Sequence, residues 1–299
     1  MTYHVSVMRD RAVDALGVRS GKAYLDATLG GGGHSTAILE RGGRVYAIDR
    51  DSDAIEYCKA HIQGDITYIK GKYEDATQLL GDLGVVEISG AVMDLGVSSH
   101  QLDDAERGFS YMHDGALDMR MDRSQEFSAY DVVNGYSAAE LADILRRYGE
   151  ESYAKRIADA VVRERAKAAI ATTKQLADLI SASVPYRKNG HPAKKTFQAV
   201  RIEVNGELKG LYDAVSGIFG MIERGGRLAV ISFHSLEDRI VKAAFREFST
   251  DCICPKQFPV CVCDHRATGK TLLREKPTED EINNNPRSAS ATLRVIEKL

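Results

Sequence analysis

Four consecutive glycines, Gly30 to Gly33, stand between a short apolar run, AYLDA at 23–27, and a segment that opens like a helix, HSTAILE at 34–40. No other stretch of the chain restricts its folding as strongly. Glycine permits a tight turn and a close approach of backbone to a ligand, and the first turn of the following helix favours negative charge. Glycines also lose the most conformational freedom on folding, so four in a row argue for a turn with a ligand to hold. The pattern then repeats. RVYAID at 44–49 is a second apolar run, ending in Asp49, and DAIEYCKAH at 53–61 has helical spacing. ITYIK at 66–70 and GAVMDL at 90–95, the latter with Asp94 near its end, read as further strands. Strands alternating with helices predict a parallel sheet with right-handed crossovers, whose ligands lie beyond the carboxyl ends of the strands. The glycine turn, Asp49 and Asp94 all fall at those ends.

The alternation stops near residue 105. Segments 137–148, 151–168 and 172–183 carry apolar residues at helical spacing. Ser137 with Glu140 forms a capping-box pattern, and Thr172 or Thr173 can cap the third helix. The α/β pattern resumes with a helix near 205–223, a strand at 227–233, a helix near 236–248 and a strand near 291–296. We therefore expect an α/β core formed by residues 1–105 and 207–299, interrupted by an all-helical insertion, 106–206. The insertion holds 16 Lys+Arg and 14 Asp+Glu, a net of +2 within a chain whose net charge is -3. The remainder is then -5, so a polyanionic partner has to be met locally rather than by the whole molecule. Arg187, Lys188, Lys194 and Lys195 form an acid-free stretch around Gly190-His191-Pro192 that reads equally as a solvated loop or as a phosphate-contacting one.

Composition excludes several classes. Hydrophobic residues at 43% and charged residues at 28% are ordinary for a globular chain, not a disordered or fibrous one. No apolar run is long enough to span a membrane, and the first residues lack the apolar stretch of a secretory signal. Four of the five cysteines crowd between Cys252 and Cys263, unlike a spread disulfide framework. The expected location is cytoplasmic, with no membrane partner.

Strand, glycine turn, helix, second strand and Asp49 in register indicate a nucleoside-containing cofactor, with Asp49 placed to bind both ribose hydroxyls. A dinucleotide fingerprint would use Gly30, Gly32 and a small residue at position 35, which is Ser35. Asp26 lies outside that fingerprint and suits a cation. Together these favour S-adenosylmethionine over a nicotinamide dinucleotide, while an S-adenosylmethionine enzyme acting on protein or a small molecule stays open on these residues alone.

Four segments carry a more specific resemblance: DATLGGGGHS at 26–35, DLGVSSHQLDDAERGFSYMHDGALDMRMD at 94–122, TFQAVRIEVNGEL at 196–208 and ISFHSLEDRIVK at 231–242. With them the chain resembles the MraW family of ribosomal RNA methyltransferases, over nearly its whole length. The resemblance implies a class I S-adenosylmethionine-dependent methyltransferase core, Rossmann-like, with an inserted helical domain. It implies methylation of the N4 amine of a cytidine in the decoding centre of 16S rRNA, with the small ribosomal subunit as partner and no DNA. Its cofactor positions fall on Gly32, Gly33, His34, Asp49, Tyr73, Asp94 and Gln101. Tyr73 stands where many members have Phe, a change that keeps a stacking face. The segment 118–122 is implied to face the RNA.

The chemistry requires alignment of an amine with a sulfonium methyl. Cytosine N4 is a poor nucleophile because its lone pair is delocalised, so acceptors around its N–H bonds help it react and can take the released proton. The catalytic candidates are Asp94, between cofactor and amine or binding the cofactor's amino acid alone, and Ser98 (or Ser99), on the base edge. DNA amino-methyltransferases carry a di-proline segment at this position, where this chain has DLGVSS. His234 follows a strand, and with Phe233 it can hold a flipped base; a buried Phe233 and a helix cap by Ser235 with Asp238 is the alternative. No metal is assigned to the active site. Cys252, Cys254, Cys261 and Cys263 can clamp a tetrahedral zinc, although C-x-C pairs are tighter than the usual spacing, and such a metal would be structural.

Overall fold

The computed structural model describes residues 6–185, 190–255, 257–258 and 260–299; Arg187 and Lys188 of the basic stretch lie outside them. The chain forms two compact units, one of Met1–Gly96 with Lys209–Leu299 and the other of Val97–Leu208. The divisions therefore fall at 96/97 and 208/209, against the 105/106 and 206/207 expected from the end of strand–helix alternation.

The first unit runs α1 (Arg9–Leu16), β1 (Ala23–Asp26), α2 (Gly33–Glu40), β2 (Arg44–Asp49), α3 (Ser52–His61), β3 (Ile66–Lys70), α4 (Ala76–Asp82) and β4 (Ile88–Asp94). The second unit supplies α5 (Ser99–Asp103), α6 (Ala129–Gly135), α7 (Ala138–Arg147), α8 (Ala154–Arg165), α9 (Thr173–Ser183) and α10 (Lys194–Asn205). The first unit then continues with α11 (Leu211–Met221), β5 (Ile222–Ser232), α12 (Ser235–Phe248), β6 (Gly269–Glu275), α13 (Glu279–Asn284) and β7 (Thr292–Lys298).

Its seven strands form one sheet in the order β3-β2-β1-β4-β5-β7-β6. β1 to β5 pair in parallel, and β7 enters antiparallel between β5 and β6. This is the Rossmann-like α/β class expected. Alternate residues of each strand face opposite sides. Leu25 and Met93 pack in one apolar cluster with Val215 and Phe219, while Tyr24 and Val92 pack in another with Val13 and Ile38. The strand order reverses between β1 and β4, and the carboxyl ends of strands at such a point are where ligands are held. No helix among the described residues is long and apolar enough to cross a membrane.

Two elements differ from the sequence reading. The helix expected near 205–223 is the end of α10 and the whole of α11, broken where Gly206 (φ 63°) and Gly210 (φ 79°) adopt left-handed backbone. β6 had no apolar signal because, as an edge strand, it leaves most of its residues exposed.

The second unit has its own core, built on Phe109, Leu145, Ile157, Leu176, Phe197 and Val200. Its segment 118–122 is held internally. Arg120 binds Asp118 through two hydrogen bonds of 2.7 and 2.8 Å. The Asn205 amide donates to Met119 O and accepts from Met121 N, both at 2.8 Å. Met119 is fully buried with φ 58°, a strained conformation that the Asn205 pair holds in place. The methionines of this segment are thus core residues, not a solvent-facing surface.

Candidate active site at the strand ends

The glycine turn owes its shape to two acids. Asp26, the last residue of β1, is fully buried; its carboxylate accepts from Thr28 N (3.2 Å) and from the Ser35 hydroxyl (2.7 Å). It therefore ties the turn to the first turn of α2, a structural role beside the cation-binding one expected of it. Asp49, ending β2, accepts from Gly30 N (2.7 Å) and Asp51 N (2.8 Å). Each of its oxygens keeps a lone pair for a hydroxyl donor. Burial pushes both Asp26 and Asp49 up to about 6, against the hydrogen bonds that pull them down.

Gly32 caps α2 with φ 73°, and a Cβ there would lie 2.1 Å from Ile62 Cδ1. At Gly33 a Cβ would lie 2.1 Å from Ser6 Oγ. At Gly32 the left-handed backbone itself favours glycine, and at Gly33 a side chain would require Ser6 to shift, so the backbone of the turn is left bare at the start of α2. His34 follows, buried to 3% exposure, and burial lowers its imidazole to about 4, so it is neutral in ordinary buffers.

Asp94 ends β4, and its N–H donates to Thr28 Oγ1 (2.6 Å), fastening the β4 end to the glycine turn. Its carboxyl lies 3.9 Å from His34 Nδ1. Asp94 Oδ1 and His34 Nε2 are both buried and lack a hydrogen-bond partner among the described residues. Burial, and then the neighbouring Asp26, Glu237 and Glu281, hold the Asp94 carboxyl well above the usual carboxylate range. A cluster of acids with an unpaired carboxyl oxygen is chemically suited to a cation that brings its own hydrogen-bond donors. The donor set fits S-adenosylmethionine in that respect: bare glycine backbone, a hydroxyl-binding acid and a cation-binding acid stand at adjacent strand ends.

Tyr73 begins a single 3₁₀ turn just after β3 and packs partly buried against the core; Gly71 N, two residues before it, bonds Asp49 O (2.9 Å). His234 and the residues before it follow β5, which pairs with β4 at Asp94 and Ile231. The cap of α12 is His234 with Glu237, not Ser235 with Asp238. His234 Nδ1 accepts from Glu237 N (3.4 Å), and Glu237 Oε2 accepts from Phe233 N (2.8 Å) and His234 N (3.3 Å). Asp238 instead pairs with Arg294 at 2.8 and 3.0 Å. Phe233 is partly buried on the core, and His234 Nε2 lies 3.1 Å from Glu237 Oε1. Ser98 and Gln101 belong to the second unit, where they form the capping box of α5: Gln101 N donates to Ser98 Oγ (3.2 Å) and Ser98 N to Gln101 Oε1 (3.1 Å).

The structure therefore gathers Gly32, Gly33, His34, Asp49 and Asp94 at neighbouring strand ends. Sequence reasoning missed Thr28, Glu237 and Glu281. A hydroxyl two residues past an acid-tipped strand was a visible clue to Thr28. Nothing local pointed to Glu281, which also accepts from Met8 N (2.5 Å) ahead of α1.

The chain matches the MraW methylase family over residues 1–299. It is 48% identical to a ribosomal RNA small subunit methyltransferase H of Citrifermentans bemidjiense and 45% identical to one of Clostridioides difficile. Each alignment covers 99% of both chains. Among solved structures, an rRNA methylase from Streptococcus thermophilus matches at 13% identity with a TM-score of 0.40, over 98% of this chain and 95% of that one.

Proposed function

The chain belongs to the MraW methylase family, and from that premise we propose that it methylates the N4 amine of a cytidine in the decoding centre of 16S rRNA. Enzymes of this family are S-adenosylmethionine-dependent methyltransferases, and the relatives named above are methyltransferases of the small-subunit RNA. The observation that carries the reading is the Asp94 carboxylate: its Oδ1 is buried without a hydrogen-bond partner among the described residues, and other acids surround it at the end of β4.

S-adenosylmethionine, when bound, supplies a methyl group on a sulfonium cation. The bare backbone of Gly32 and Gly33 with His34 would border it. Asp49 would take the ribose hydroxyls, Tyr73 would face the adenine, and Asp94 would meet the cationic end, with Gln101 as a further contact. Asp94 then serves the substrate as well. A carboxylate beside the target amine accepts from its N–H bonds, favours a pyramidal nitrogen and can receive the proton released on transfer. Ser98, four residues after Asp94 in the chain, would bond the base edge. His234, whose ring and Glu237 fix the turn after β5, would position Phe233 toward a flipped base. The partner is 16S rRNA within the small ribosomal subunit, in the cytoplasm, with neither DNA nor a membrane as target.

The test is methyl transfer from labelled S-adenosylmethionine to small subunits lacking the modification, with stripped 16S rRNA in parallel. Label at N4 of a single cytidine in the subunits is the expected result, and label absent from stripped RNA would show that a folded site is read. Label at another atom, or none in either substrate while the cofactor still binds, would overturn the proposal.

A further inference from the structure

Residues 249–268, between α12 and β6, contain no helix or strand among those described. Loops with no secondary structure seldom exceed about 12–15 residues unless something else orders them. This one is tied at its base, by Thr268 N to Phe248 O (2.8 Å), His265 Nε2 to Glu247 O (3.0 Å) and Ala267 N to Asp251 Oδ1 (3.2 Å). Beyond the base, none of its described residues belongs to a hydrophobic core cluster. Its large apolar side chains point outward: Ile253 is 53% exposed, Phe258 49%, Val260 70% and Val262 69%. What does converge is sulfur. The Sγ atoms of Cys252, Cys254, Cys261 and Cys263 all lie within 4.8 Å of one another, as free thiols.

Their spacing is informative. Cys252 to Cys261 is 3.4 Å, Cys261 to Cys263 is 3.6 Å and Cys263 to Cys252 is 3.9 Å. Four sulfurs about 2.3 Å from one tetrahedral zinc stand about 3.8 Å apart. Val262 N–H also donates to Cys254 Sγ at 3.3 Å, the kind of bond that supports a negatively charged ligand sulfur. Thiolates of a multi-iron cluster bind different irons and stand farther apart, so a single ion is the better fit.

We propose that Cys252, Cys254, Cys261 and Cys263 form a structural zinc site that orders the 249–268 loop. Each thiol releases its proton to solvent as its Zn–S bond forms, and the four thiolates close the coordination sphere, leaving no position for substrate. The metal takes the place of the hydrophobic core that the loop's described residues lack.

The experiment uses the full-length chain, purified under reducing conditions without chelator. Elemental analysis is expected to give about one zinc per chain. Cobalt exchanged into the site should show the visible absorption of tetrahedral thiolate-bound Co²⁺. Cys261→Ser and Cys263→Ser should each lower bound zinc to that of a chelator-treated control. Hydrogen exchange should rise within 249–268 and stay unchanged in the sheet, which separates loss of the site from loss of the fold. Metal-free protein, zinc retained in both variants, or a mass showing two disulfides in the reduced preparation would each overturn the proposal.

Discussion

At the scale of single residues, the site is a set of carboxyls held away from their ordinary ionisation. Asp26 and Asp49 are pushed up to about 6 and Asp94 is held well above the usual carboxylate range, in each case first by burial, while His34 is lowered to about 4. An acid whose folded value exceeds its unfolded one binds more protons when folded, so stability falls as pH rises from about 4 through about 6. A cationic ligand reverses the preference, because it interacts with the ionised acids. S-adenosylmethionine should therefore bind more weakly as pH falls through about 6, by up to about ten-fold per pH unit for each coupled proton. Thermal unfolding with and without cofactor at pH 5.5 and 7.5 measures this, and a larger stabilisation at the lower pH would contradict it. Asp94→Asn should flatten the dependence and abolish methyl transfer. The types and positions of these residues were legible in the sequence. The division of labour between Asp26 and Asp94 was not, since both are acids at strand ends and only burial and partners distinguish them.

At the scale of elements, the strand–turn–helix of β1 and α2 depends on backbone that only glycine allows. Gly32→Ala would place a Cβ in left-handed backbone and 2.1 Å from Ile62 Cδ1. The two penalties together predict a loss of about 2–5 kcal/mol, seen as a lower urea midpoint with an unchanged slope. A loss under about 1 kcal/mol would show that α3, which carries Cys58 and borders Ile62, yields easily. Elements with strong periodicity and a local cap, such as α7 with Ser137 and Glu140, were readable from sequence, while for α9 the structure chose Thr172, with Gln175, between the two threonines the sequence offered. The cap of α12 lies one residue before the one its sequence suggests, because imidazole is an uncommon cap and Ser235 is a common one. The break between α10 and α11 was not legible because apolar residues continue on both sides of Gly206 and Gly210.

At the scale of the whole molecule, the two units are organised around separate cores. The 97–208 unit encloses Phe109, Leu145, Ile157 and Phe197, together with the buried Asn205 network on Met119 and Met121. A unit with its own core can fold alone. Residues 97–208 expressed by themselves should show helical circular dichroism and a cooperative thermal transition; a broad, non-cooperative melt would show that this core is incomplete. The sequence by itself determined the α/β class, the helical insertion, the glycine turn, the acids at strand ends and the family, because periodicity, turns and caps are local properties of the chain. The tertiary structure alone decided which distant groups meet. Glu237 and Glu281 raise Asp94 across a long separation in sequence, Asp26 turns inward onto Ser35, and four thiols converge beyond α12. Burial, ionisation and ligand geometry depend on distances between atoms remote along the chain, which no local pattern encodes.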